Sequence, residues 1–137
     1  MLRRQLIRHE GLRLKPYKDT VGKLTIGVGR NLDDVGITEQ EAMILLDNDI
    51  ERTKLDLLKA LPWINKIDSV RQDVLINMAF NMGIGGLLGF KNTLASVQSG
   101  NYADAADKML QSKWAGQVGL RASELSNMMR TGKYPDG

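Results

Sequence analysis

Glu10-Gly11-Leu12-Arg13-Leu14-Lys15-Pro16-Tyr17-Lys18-Asp19-Thr20-Val21-Gly22-Lys23-Leu24-Thr25-Ile26-Gly27-Val28 is the stretch whose reading decides the fold. Leu12 and Leu14 alternate with Arg13 and Lys15, which predicts an edge strand ending near Pro16. Asp19 to Gly22 reads as a turn. Leu24, Ile26 and Val28 then alternate with Lys23, Thr25 and Gly27, which predicts a second strand and hence a small β-hairpin. Upstream, Leu2, Leu6 and Ile7 are spaced as one face of a short helix that Gly11 ends. Downstream, Thr38 with Glu41 has capping-box spacing. Ala42, Leu46, Ile50, Leu57 and Leu61 then mark one face of a long helix running to about Lys59, and Pro62 breaks it. Asp68 caps a further helix that is apolar nearly all round from Val74 to Phe80, as a central buried helix would be. Gly83, Gly85, Gly86 and Gly89 predict a loop, and three short helices are expected near Asn92–Ser99, Tyr102–Leu110 and Leu120–Met129. The fold class is α+β: a small hairpin lobe and a larger helical lobe, joined by the long helix, with a cleft between them.

Composition narrows the field. A chain of 137 residues, 42% hydrophobic and 26% charged, fits one globular domain. No run approaches the roughly 20 apolar residues that cross a bilayer, so no stable membrane insertion is expected. Met1 to Glu10 has no apolar signal core, which predicts cytoplasmic synthesis without a signal peptide. With no cysteine and one histidine, neither a disulfide nor a metal site is expected, and no cofactor is called for. The net charge of +3 is unevenly placed. Residues 1 to 30 carry eight bases (Arg3, Arg4, Arg8, Arg13, Lys15, Lys18, Lys23 and Arg30) against two acids, Glu10 and Asp19. Such a segment favours an anionic polymer as partner. Charge alone does not choose among nucleic acid, anionic lipid and cell-wall glycopeptide.

The two acids of that segment differ in setting. Glu10 stands four residues after Leu6 and three after Ile7, in the last turn of the first helix. An apolar face and the helix carbonyls both disfavour its charged form. Asp19 lies in a polar turn beside Lys18, Thr20 and Lys23, where it stays ionised. One protonated and one ionised carboxyl is the division of labour that glycoside hydrolysis requires. Thr25, beside Gly27, supplies a hydroxyl that can meet a substrate or hold a water.

The run Arg8 to Leu14, then Tyr17-Lys18-Asp19-Thr20, then Thr25-Ile26-Gly27-Val28-Gly29, resembles the signature of phage-type lysozymes, glycoside hydrolase family 24. The likeness continues through Val70 to Gly83, Gly89 to Leu94, Ser112-Lys113-Trp114, Arg121 and Arg130-Thr131-Gly132, covering essentially the whole chain. It implies one lysozyme domain over residues 1–137, with residues 11–60 as the small lobe and connecting helix, and residues 1–10 and 61–137 as the helical lobe. It implies a muramidase that cleaves peptidoglycan strands, acts on the wall after release across the inner membrane, and works as a monomer. Glu10 would be the acid, with Asp19 and Thr25 positioning water. Asn31, Phe80, Thr93 and Lys108 would contact substrate. Arg121 matches an arginine that pairs with the catalytic glutamate.

Two departures stand out. Arg30 replaces the family's usual histidine after Thr25-Ile26-Gly27-Val28-Gly29, and the stretch between Leu32 and Thr38 is short. His9, at a helix end, reads as structural, Trp114 as core, Phe80 as either cleft wall or core, and Met78, Met82, Met109, Met128 and Met129 as core filler. Three alternatives stay open: a lytic transglycosylase, an inactive wall-binding module, and a nucleic-acid-binding domain. The last lacks any base-reading helix or aromatic–basic platform, so no nucleic acid is expected.

Overall fold

The computed structural model describes residues 1–135. The chain divides into two compact units, Met1–Leu46 and a second that begins at Asp47.

The first unit opens with α1 (Leu2–Glu10), whose end is set by Gly11 at φ 79° with its N–H on the Ile7 carbonyl. Strands β1 (Arg13–Lys18), β2 (Leu24–Gly27) and β3 (Arg30–Asn31) form an antiparallel sheet in that order. The predicted hairpin is therefore present with a third strand added. Tyr17 pairs with Thr25 and Lys18 with Leu24. The register slips between Arg13 and Tyr17, around Pro16, which has no N–H to give to a ladder. β3 is only two residues long, too short to show an alternating pattern.

α2 (Glu39–Ala60) begins in the first unit and continues into the second. Its start is the predicted capping box: the Glu41 N–H donates to Thr38 Oγ1 at 3.1 Å, and the Thr38 N–H donates to Glu41 Oε1 at 2.9 Å.

In the second unit a 3-10 turn (Pro62–Lys66) follows α2, then α3 (Ser69–Leu88), α4 (Lys91–Gln98), α5 (Tyr102–Gln111), α6 (Lys113–Val118) and α7 (Leu120–Thr131). Asp68 caps α3 as predicted, its carboxylate accepting the Arg71 N–H at 3.1 Å. Val74, Leu75, Ile76, Met78 and Ala79 of α3 are buried against Leu57, Met109, Trp114, Leu125 and Met129. Met78, Met109, Met128, Met129 and Trp114 are core, with Met82 half-buried against them, and the Trp114 indole N–H is satisfied by Asn81 Oδ1 at 2.9 Å.

Two expectations are corrected. The glycine-rich stretch is not a loop: only Gly83, at φ 82° and ψ 162°, leaves helical geometry, and α3 resumes to Leu88. Glycine lowers helix propensity without forbidding helix. α6 is an added helix of six residues, started by Ser112, whose Oγ accepts the Ala115 N–H. Among the described residues, no single helix is long and apolar enough to cross a membrane.

Candidate active site

All three residues of the expected catalytic set lie in the first unit. Glu10 is the last residue of α1. Its side chain lies over Gly29, where a Cβ would stand 3.0 Å from Oε2 and 3.3 Å from Cδ. Gly29 is at φ +70°, so both its backbone and its missing side chain suit this approach. The sequence puts Glu10 on an apolar face with Leu6 and Ile7. Within the unit that face buries nothing: Glu10, Leu6 and Ile7 are all exposed.

Asp19 and Thr25 are built into one turn. Asp19 Oδ1 accepts the N–H groups of Val21 at 3.0 Å and Lys23 at 2.8 Å, an arrangement that lets an aspartate side chain close its own turn. The Asp19 N–H returns a bond to the Lys23 carbonyl at 2.9 Å. The same carbonyl accepts the Thr25 hydroxyl, also at 2.9 Å. Lys23 thus ties the carboxylate to the hydroxyl. Thr25 is buried, at 4% exposure, while Leu24 beside it is 37% exposed. The hydroxyl's bond to Lys23 is what allows a polar group to be buried there.

Arg30 has a definite role. Its guanidinium donates to Glu41 through Nη1 and Nη2, both at 2.7 Å, and to the Gly36 carbonyl at 3.1 Å. This fork closes the short loop between β3 and α2. The hydrogen bond from Arg30, reinforced by that from the Thr38 backbone, holds the Glu41 carboxyl down at about 2. The two departures from the family pattern are thus joined: Arg30 fastens the shortened segment.

The expected substrate residues separate into groups. Asn31 pairs with Thr25 across the sheet, but its amide is engaged with Asp34: Nδ2 donates to Oδ2 at 2.9 Å, and Oδ1 accepts the Asp34 N–H at 2.9 Å. In the second unit, Thr93 and Lys108 line one open pocket of about 610 Å³ with Phe90, Asn92 and Gln111. The Lys108 ammonium donates to Asp104 Oδ2 at 2.5 Å and Ser96 Oγ at 3.1 Å. The first of these bonds, with that from Ser96, keeps Asp104 below the usual carboxylate range. Phe80 is elsewhere, 45% exposed on a hollow of about 350 Å³ with Asp49, Arg52 and Asp56. It is therefore not core. Arg121 donates from Nε and Nη2 to Asn77 Oδ1, at 2.9 and 2.7 Å.

Sequence reasoning missed Asp33, whose carboxylate accepts the Leu24 N–H at 2.7 Å. The signal was present in Asn31-Leu32-Asp33-Asp34, a run of residues that favours side-chain-closed turns.

The phage lysozyme family model matches residues 7–130. A probable T4-type lysozyme of Dictyostelium discoideum is 28% identical, over 90% of this chain and 89% of its own length. A SAR-endolysin of Escherichia phage Mu is 30% identical over 92% and 77%, and an endolysin of Salmonella phage P22 is 31% identical over 82% and 81%. The α+β fold agrees with that of phage lysozymes, and the chain belongs to the phage lysozyme family.

Proposed function

We propose that this protein is a muramidase, hydrolysing the β-1,4 bond between N-acetylmuramic acid and N-acetylglucosamine in peptidoglycan with inversion at the anomeric carbon. Residues 1–137 act as one lysozyme domain, and the activity leads to cell lysis. Glu10 protonates the leaving oxygen. Asp19 and Thr25 hold the attacking water, and Asp19 offsets positive charge on the sugar ring. The observation that carries this reading is the joint anchoring of the Asp19 carboxylate and the Thr25 hydroxyl on Lys23. A carboxylate held by the Lys23 N–H and a hydroxyl held by the Lys23 carbonyl are fixed on one residue and form a preorganised acceptor pair suited to one water. Thr93, Lys108 and Phe80 serve as wall contacts, and the basic N-terminal segment draws the anionic polymer.

The test is lysis of purified peptidoglycan by the wild type and by Glu10→Gln. General acid catalysis contributes about 10²–10⁴-fold, and an amide cannot donate the proton. The variant should keep its far-ultraviolet dichroism and lose that factor in rate. Near-normal turnover by the folded variant refutes the assignment.

A further inference from the structure

We propose that Asp33 is a positioning residue for the water-holding pair, acting through the peptide between Lys23 and Leu24. That peptide unit has two ends. Its carbonyl, on Lys23, accepts the Asp19 N–H and the Thr25 hydroxyl. Its N–H, on Leu24, donates to Asp33 Oδ2 at 2.7 Å. The carboxylate of Asp33 therefore grips the back of the group whose front holds Asp19 and Thr25.

The topology explains why a side chain is needed there. β3 pairs Ile26 with Arg30 and Thr25 with Asn31. The next position would place Leu32 opposite Leu24, and half of that pair is made: the Leu32 N–H donates to the Leu24 carbonyl at 2.7 Å. The reciprocal acceptor, the Leu32 carbonyl, is taken by the Gly36 N–H at 3.1 Å as the chain turns away. Asp33 supplies the acceptor that the ladder withdraws. A bond to an ionised acceptor is shorter and roughly twice as strong as a neutral one. It also polarises the peptide, so the carbonyl at the other end becomes a better acceptor for Thr25 and Asp19. Asp34 holds the same turn from outside, through Asn31 and the Lys23 ammonium at 3.2 Å, but it does not touch the peptide.

This inference rests on the muramidase reading. Its test compares Asp33→Ala, Asp33→Asn and Asp34→Ala in the full chain, by kcat and KM on peptidoglycan and by hydrogen exchange of individual amides. Asp33→Ala should lower kcat about ten- to a hundredfold, as small misplacements of reacting groups do, with KM little changed. Exchange should accelerate at Val21, Lys23 and Leu24 and not across α3. Asp33→Asn keeps an oxygen acceptor and should recover part of the rate, while Asp34→Ala should keep most of it. An unchanged kcat in Asp33→Ala, or exchange that accelerates uniformly through the chain, overturns the positioning role and leaves the muramidase reading standing. A wild-type protein without activity on glycan strands removes the reading itself, and the positioning role with it.

Discussion

Glu10 lies close over Gly29: a Cβ at Gly29 would stand 3.0 Å from Oε2 and 3.3 Å from Cδ, close enough that a side chain there would push the carboxyl aside by a few tenths of an ångström. The glycine closes the Thr25 to Gly29 motif, so the strand that carries Thr25 leads directly to the bed on which the acid rests. Gly29→Ala adds a methyl group that re-aims the carboxyl, at a backbone with φ +70° that costs an L-residue about 1–2 kcal/mol. Turnover should fall about tenfold or more, with a modest loss in unfolding free energy. Rates and denaturant melts of the purified variant check both, and full activity in the alanine protein would mean that Gly29 does not seat the acid.

Asp19 offers a cleaner separation of shape from charge. Both hydrogen bonds that close its turn fall on Oδ1. Asparagine keeps an oxygen there, so Asp19→Asn should preserve the turn while deleting the charge. Its activity loss should be severe, and Asp19→Glu or Asp19→Cys should be milder because both can present an anion. Steady-state rates on peptidoglycan decide it: equal activity for asparagine and aspartate would leave Asp19 as a turn residue.

The Arg30–Glu41 pair predicts a pH effect on stability. The folded carboxyl is held at about 2, below its ordinary 4.5, chiefly by the Arg30 hydrogen bond. A depressed folded value means that the unfolded chain takes up the proton first as pH falls. The pair's stabilisation is therefore present above about pH 4.5 and is lost between there and about pH 2. Glu41→Gln should melt below the wild type at neutral pH, with the gap closing near pH 2. A gap of constant size across that range would show that the ion pair does not stabilise the loop.

Local signals in the sequence read well where a single residue type forces a geometry. Thr38 with Glu41, and Asp68 before α3, cap as their spacing requires. The apolar run from Val74 gave the buried helix because its burial is nearly continuous. The misses have physical causes. β3, of two residues, and α6, of six, are too short to repeat a pattern that would reveal them. In the glycine-rich stretch the helix continues past its one break at Gly83. The alternation of β2 named Thr25 but did not show its burial, which is tolerated because its hydroxyl is satisfied by Lys23 two residues back. The resemblance named Asn31 as a substrate contact, yet its amide is engaged with Asp34, a partner that no periodicity reports. Asp33 escaped for the same reason: its role depends on where a turn leaves a strand, not on spacing.

Hydrolysis by Glu10 with water held opposite the leaving group leaves its record in the products. Digested glycan strands should be analysed by mass spectrometry, with NMR of fresh product before the anomers equilibrate. The account predicts free reducing N-acetylmuramic acid ends, one water heavier per cut than anhydro ends, formed first as the α-anomer. Anhydro ends would make the protein a transglycosylase that needs no held water, and a β-anomer would recast Asp19 as a nucleophile; either result contradicts the mechanism.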